Sequence, residues 1–395
     1  LRSILGLIVI AVFAYLGAAM FRVARMPVLL KSLISSGLGF FAIGLLLGPQ
    51  AAGLFDRQAL SGLDVLVNLG IGWVGLLFGL QFYKTDLKKI SGSCFEAAAI
   101  ESLTTMLLVG AGISALPFFI SGQPDWLPAL LLAAIASTSS PTIASQVTLD
   151  IRGCGPLTRM VRVVTSIDAL PAVIVAGAAL CFSSLHPAGT GLLSSGWMWL
   201  GATFLFSLAL GILFHLMTLF RYSDSQLLVV VLGLVVFSGG VAHYLALSPL
   251  LINMLVGIVV ANRSPLRSRI LSSLLRLEKP VYLILLTMAG AIWSLPPLSL
   301  LALIPPFIVL RFGGKLLGGA LAGRRAAPGS GLLGIGPGLL PHGGMALAIA
   351  LSVAQFFPGP LGDLALTATI GSVFTASLTS PWAMRRLLAS EGNPT

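Results

Sequence analysis

ASTSSPTIASQ, residues 136–146, interrupts an apolar run: LPALLLAAI precedes it and VTLDIRG follows. The hydroxyl side chains Ser137, Thr138, Ser139, Ser140 and Thr142 stand with Pro141 where a membrane helix would otherwise be continuous. Proline removes a backbone donor and clashes with the carbonyl four residues back, so the helix is expected to break here. Inside a bilayer, freed backbone groups are tolerated only against protein or a water-filled cavity. A chain that opens a helix at such a place has a use for the opened backbone.

Composition makes the bilayer the frame for this stretch. The 395 residues are 57% hydrophobic and 9% charged, with a mean hydropathy of +1.02. Soluble domains carry about 25% charged residues, which excludes a water-soluble fold. Apolar runs of about 20 residues recur from end to end, the pattern of an all-α polytopic membrane protein. The first run, from Ile4, lacks a small-residue cleavage site and reads as a span rather than a signal peptide. Cys94, Cys154 and Cys181 are scattered without metal-ligand spacing and read as small packing residues. Neither a nucleophile–base pair nor a phosphate loop stands out, so no enzyme and no cofactor is expected.

Thirteen spans are read, at 4–22, 32–50, 64–83, 92–117, 127–149, 157–183, 196–220, 225–246, 248–262, 277–294, 297–322, 331–355 and 361–384. All but four of the 23 basic residues fall in loops of one side or at the span ends beside them: Arg22, Arg25, Lys31; Lys84, Lys88, Lys89; Arg152, Arg159, Arg162; Arg221; Arg263, Arg267, Arg269, Arg276, Lys279; Arg324, Arg325; Arg385, Arg386. The exceptions are Arg2, Arg57, Arg311 and Lys315. Lys and Arg mark the cytoplasmic side, which places the amino terminus outside and the carboxy terminus inside a plasma membrane, the inner membrane in a bacterium. Topology therefore accounts for the net charge of +11, and no nucleic-acid partner is expected.

A second span is interrupted as well. GLLGIGPGLLPHGGMALAIALSVAQ, 331–355, carries Pro337, Pro341, His342, Gly343 and Gly344 near its centre. Interrupted spans at matching positions point to an inverted-repeat transporter with its site between them. The expected organisation is a first repeat over 1–195 (spans 1–6), a linker span over 196–223, and a second repeat over 224–395 (spans 8–13). The discontinuous helices are then spans 5 and 12, each fifth in its half.

Ionisable residues at depth are functional candidates by default, because each is costly and needs a partner. Asp168 lies near the centre of span 6 and Arg311 slightly past the centre of span 11. Glu101 in span 4 and Lys315 in span 11 lie roughly 6–8 Å to the cytoplasmic side, at a rise of about 1.5 Å per residue. Glu96 lies nearer the interface. Arg311 and Lys315, at i and i+4, share a helix face. Glu101 and Lys315 are expected partners, on counterpart helices at similar depth. Asp168 has two readings: an ion pair with Arg311, or an ion site. In the second, Thr138, Ser139, Ser140 and Thr165 join it with the oxygen ligands a small hard cation prefers. A carboxylate that takes a proton or a cation, but not both, is a minimal exchanger.

Four stretches resemble the monovalent cation:proton antiporter superfamily, the sodium/proton exchangers and their potassium-efflux relatives. They are AIGLLLGP (42–49), GWVGLLFGLQFYKTDLKK (72–89), YLALSPLLINMLVGIVVANRS (244–264) and LLPHGGMALAIALS (339–352). Their order along nearly the whole chain strengthens the likeness. The resemblance implies 13 spans and two crossed discontinuous helices. It also implies an ion-transport core from spans 4–6 and 11–13, a dimerisation domain from the rest, elevator-type movement and a homodimer. Asp168, in TSIDALPAV, matches the family's essential sixth-span aspartate. Ser139-Ser140-Pro141 stands where many members carry Thr-Asp-Pro, Ile167 where Asn, Asp or Gln is usual, and His342 where the family has arginine. Arg311 matches a span-11 arginine whose glutamate partner position here is Val163.

Exchange of Na⁺, K⁺ or Li⁺ for H⁺ is the leading reading, with Na⁺ first and membrane lipid as the surrounding partner. A potassium-efflux antiporter is the near alternative, although such relatives carry a cytosolic nucleotide-binding domain that these residues do not include. A sodium-coupled organic-anion symporter, with Arg311 and Lys315 as anion clamp, and a transport-inactive membrane sensor are the others.

Overall fold

The computed structural model describes residues 36–51, 53, 55, 60, 62–121, 126–150, 155–183, 195–220, 222–326 and 334–389. The expected first span, Arg2, Arg22, Arg25, Lys31, Arg57, Arg152, Arg221 and Cys154 lie outside them. Among the described residues every regular element is helical. The main helices are α1 Leu38–Leu47, α2 Asp64–Gly79, α3 Gly92–Ser121, α4 Trp126–Ser137, α5 Pro141–Asp150, α6 Pro156–Ile167 and α7 Ala169–Cys181. They continue as α8 Gly196–Met217, α9 Asp224–Tyr244, α10 Pro249–Arg263, α11 Arg267–Ile292, α12 Ile304–Ala326, α13 Gly344–Phe356 and α14 Pro360–Ala389. Seven of the described helical stretches are long and apolar enough to cross a membrane, with α4–α5, α6–α7 and Leu298–Arg325, which leads into α12, each counted through an interruption, and four shorter apolar helices accompany them. The chain is an all-α, multi-pass membrane protein.

Helix starts follow local chemistry. Ser195 accepts from Met198 N at 3.4 Å, and Ser248 from Leu251 N at 3.2 Å ahead of Pro249. Ser223 and Gln226 close a reciprocal capping box at the head of α9. Such caps occupy backbone donors that a helix start leaves unpaired.

The chain divides into two compact units. One takes in Phe40–Lys89 and Ala176–Trp293, the other Ile90–Val175 and Ser294 onward. In the first, Trp73, Phe214, Leu227, Val256 and Ile270 are core residues. Asn262, from the stretch that carried the family likeness, donates to Phe82 O (2.9 Å) and accepts from Lys84 N (2.9 Å), fixing the turn after α2. Arg267 reaches Asp86 Oδ2 at 3.2 Å and lies over the Tyr83 ring. α8 leaves Leu205, Leu208, Ile212, Leu213 and Leu216 exposed, an apolar face suited to lipid.

In the second unit, α3 lies against α12 at backbone distance. A Cβ on Gly314 would stand 2.9 Å from Thr105 Cα, and one on Gly318 would stand 2.9 Å from Glu101 O. Two glycines one turn apart let membrane helices approach this closely. That contact puts Lys315, between them in sequence, onto the helix that carries Glu101.

Two of the later spans, the tenth and the twelfth, need correction. The tenth span was expected at 277–294 behind a basic loop, yet the helix begins at Arg267. Its charges hid an amphipathic start whose Ile270 and Leu274 are buried. The eleventh, expected from residue 297, runs from Leu298 to Arg325, its long helix following the single turn Leu298–Leu301. The twelfth was expected as one interrupted helix. Its first part is only a 3₁₀ turn, Gly336–Leu339, because Pro337, Pro341 and four glycines leave little to propagate an α-helix.

Replacing Gly318 with leucine should destabilise the protein by about 1–3 kcal/mol through overpacking against Glu101. Gly313→Ala is the control, since its Cβ would meet only Leu108 Cδ2 at an ordinary 3.8 Å. Thermal melting in detergent checks this; equal midpoints for the two variants would contradict the close α3–α12 contact.

Candidate functional site

Both interruptions form as the prolines require. α4 stops at Ser137, residues 138–140 are non-helical, and α5 restarts at Pro141. In the second, residues 340–343 run between the 3₁₀ turn and α13. The two openings meet directly: Ser140 N donates to Pro341 O at 2.9 Å, and Ser139 Oγ donates to Leu339 O at 2.8 Å. Gly343 is needed at this crossing, because a Cβ there would stand 2.8 Å from Ser140 Oγ.

Asp168 occupies the joint between α6 and α7 and is fully buried. Its Oδ1 accepts from Ser139 N at 3.4 Å, and its Oδ2 lies 3.0 Å from Lys315 Nζ. Ser102 Oγ donates to the Asp168 carbonyl at 3.1 Å. Lys315, also fully buried, donates to Ser137 O and to Ser139 Oγ (2.8 Å). The same ammonium lies 3.0 Å from Glu101 Oε1. Thr105 Oγ1 donates to that oxygen at 3.0 Å, while Glu101 Oε2 has no hydrogen-bond partner among the described residues.

Arg311 does not pair with Asp168. Its Nη2 donates to Leu340 O (3.1 Å) and Thr138 O (3.4 Å), one carbonyl from each opening. Its Nε and Nη1 have no partner among the described residues. The helix face it shares with Lys315 is as expected; the aspartate goes to the lysine because the lysine is the base beside it. His342, fully buried, bridges Ile135 O (3.1 Å, through Nε2) and Ser372 Oγ (2.9 Å, through Nδ1). A carbonyl only accepts, so Nε2 carries a proton, while the Ser372 hydroxyl, donor and acceptor both, suits Nδ1 in either state.

The remaining candidates are placed less centrally. Thr138 Oγ1 donates to Ile135 O (3.0 Å), and Thr165 Oγ1 donates to Arg162 O (3.0 Å). Ser140 Oγ accepts from Ile143 N at 3.4 Å, a cap on α5. Of the hydroxyl residues, Ser139 is the one hydrogen-bonded to both Lys315 and Asp168. Glu96 is exposed and only 3.8 Å from Arg325. Sequence reasoning missed Ser102, Thr105 and Ser372. Thr105 was legible in part, four residues after Glu101 and so on its helix face; Ser372 was not, among many hydroxyls in α14.

The family described as "Sodium/hydrogen exchanger, transmembrane" matches residues 8–387. The fold is similar to the sodium proton antiporter MjNhaP1 from Methanocaldococcus jannaschii at pH 8, with TM-score 0.65 and 15% identity over 98% of this chain and 99% of that one. An electron-microscopy structure of the same antiporter gives TM-score 0.61 and 14% identity, over 100% and 97%. Among curated proteins, Cation/H(+) antiporter 19 of Arabidopsis thaliana is 29% identical over 152 residues, 36% of this chain. The match spans 18% of that protein's length.

One base between two buried acids gives a test. Lys315→Met should cost roughly 3–5 kcal/mol, because both carboxylates lose their cation in a buried site. Adding Glu101→Gln should recover part of the loss. Melting midpoints of the single and double variants measure the coupling, and purely additive damage would mean that the two side chains do not interact.

Proposed function

The chain belongs to the sodium/hydrogen exchanger family, and on that premise we propose that it exchanges a monovalent cation, Na⁺ first, for H⁺ by alternating access. The observation that carries this reading is the Asp168 carboxylate, buried beside the crossing of two opened helices with an ammonium on Oδ2. Lys315 holds there the place that a transported cation would take. With a cation on Asp168, Ser139 supplies a hydroxyl and the openings supply carbonyl oxygens, the ligand type that small hard cations favour. With a proton on Asp168 the cation is excluded. Competition for one group couples the two flows.

The wider organisation is proposed in the same terms. Thirteen spans form two inverted repeats, 1–195 and 224–395, around the linker 196–223. Spans 4–6 and 11–13 carry the ions, the others form a homodimer, and the carboxy terminus faces the cytoplasm of a plasma membrane. The direct meeting of the openings at Ser140 and Pro341 supports the crossed-helix core. A symporter of organic anions is less well supported, because Arg311 already donates to Thr138 O and Leu340 O.

Purified protein in proteoliposomes should show proton flux driven by Na⁺, K⁺ or Li⁺. Asp168→Asn, which keeps the shape but cannot trade a proton for a cation, should abolish it while the protein stays folded. Undiminished flux in that variant would overturn the assignment.

With one exchangeable carboxylate, loaded carriers have equal charge in both directions. Exchange is then 1:1, and an imposed membrane potential without ion gradients should drive no coupled flux. Voltage-driven proton movement coupled to cation movement would refute it.

A further inference from the structure

Asp168 explains where the cation binds but leaves open where the lysine goes. Lys315 has three N–H donors, and they are directed at Ser137 O, Ser139 Oγ and Asp168 Oδ2. A fourth acceptor, Glu101 Oε1, lies at the same 3.0 Å as Asp168 Oδ2. Turning the ammonium therefore moves a donor from one carboxylate to the other without moving the helix. Glu101 has capacity to receive it, because Oε2 is buried and has no hydrogen-bond partner among the described residues. Thr105 holds Oε1 in place from one turn along the same helix.

We propose that Glu101 is a positioning residue for the exchange, the second seat of the Lys315 ammonium, which keeps Lys315 protonated while a cation occupies Asp168. This rests on the exchange reading above. Without a second carboxylate, a cation entering on Asp168 would leave an ammonium beside it in a site of low dielectric, where like charges repel strongly. Lysine can escape by releasing its proton, an option closed to arginine. With Glu101 ionised, the ammonium keeps a counter-charge and no second proton leaves. The proton-loaded site (neutral Asp168, Lys315 cation, Glu101 anion) and the cation-loaded site (Asp168 anion with its cation, the same Lys315 and Glu101) then carry the same charge. The other ionisable neighbours keep their partners in both: Arg311 on carbonyls of the two openings, and His342 between Ile135 and Ser372.

The test counts protons in the purified full chain, titrated with NaCl in weak buffer with a pH indicator at about pH 9, above the ordinary carboxylate range and below that of lysine. Wild type should release close to no proton per Na⁺ bound, and Glu101→Gln close to one. The apparent Na⁺ affinity of Glu101→Gln should then rise about tenfold per pH unit, as one released proton per ion requires, while that of wild type stays level. Glu101→Asp, which keeps the charge, should bring the count back toward zero, an effect that a merely structural role would not produce. Wild type releasing one proton, or Glu101→Gln binding Na⁺ and releasing none, overturns the role of Glu101 alone and leaves the exchange reading standing. Should Glu101→Gln not fold, the wild-type count decides by itself. No binding of Na⁺, K⁺ or Li⁺ by wild type overturns the exchange reading and this inference with it.

Discussion

Lys315 Nζ, buried with no exposed surface, lies 3.0 Å from oxygens of both Asp168 and Glu101 and donates to Ser137 O and Ser139 Oγ at the first opening. Three ionisable groups sharing one buried site would each, as an ion, cost several kcal/mol in isolation. They persist because each is within reach of an opposite charge. Two acids against one base leave one negative charge over, and Arg311, buried four residues away on the same helix, balances it. Removing any one of the four charges leaves the others uncompensated. The glycine contact of α12 on α3 and the opening after Ser137 are what bring these groups together.

Sequence carried the site's members further than its connections. The proline and hydroxyl cluster at 138–141 announced the first opening, and the isolated charges announced Asp168, Glu101, Arg311 and Lys315. Each of these signals is local: proline lacks a donor wherever it stands, and a charge in an apolar run is costly wherever it pairs. Which acid met which base was not local. Asp168 had Arg311 as an alternative partner, and only the rotation of α12, set by glycines against Glu101 and Thr105, turned Lys315 to it. The same limit explains the start of α11, where charges outweighed an apolar face only two buried side chains wide over its first turns.

Arg311 shows how a departure from the family's pattern is absorbed. The resemblance would put its carboxylate partner at Val163, a side chain packed against an apolar cluster that includes Val161, Val164 and Leu339. The guanidinium instead takes carbonyls of both openings, Thr138 O and Leu340 O. Carbonyl dipoles at opened helix ends carry partial negative charge, so they can replace part of what a carboxylate would supply. Nε and Nη1, without a hydrogen-bond partner among the described residues, mark the part that is not replaced. His342, where the resemblance would put an arginine, instead bridges Ile135 O and Ser372 Oγ.

Accounting for the opened backbone shows why the helices break where they do. Buried carbonyls need donors. Ser137 O has Lys315, Thr138 O and Leu340 O have Arg311, Leu339 O has Ser139 Oγ, and Pro341 O has Ser140 N. The donors to three of these five carbonyls are therefore cationic side chains rather than backbone. One backbone donor, Ser140 N, and one hydroxyl, Ser139 Oγ, join the two openings, and side-chain cations hold the other three carbonyls. Under the exchange reading proposed above, a transported cation would take over from Lys315, while the first set stays in place. An opening built in this way separates the donors that join the two helices from the cations that meet the remaining carbonyls.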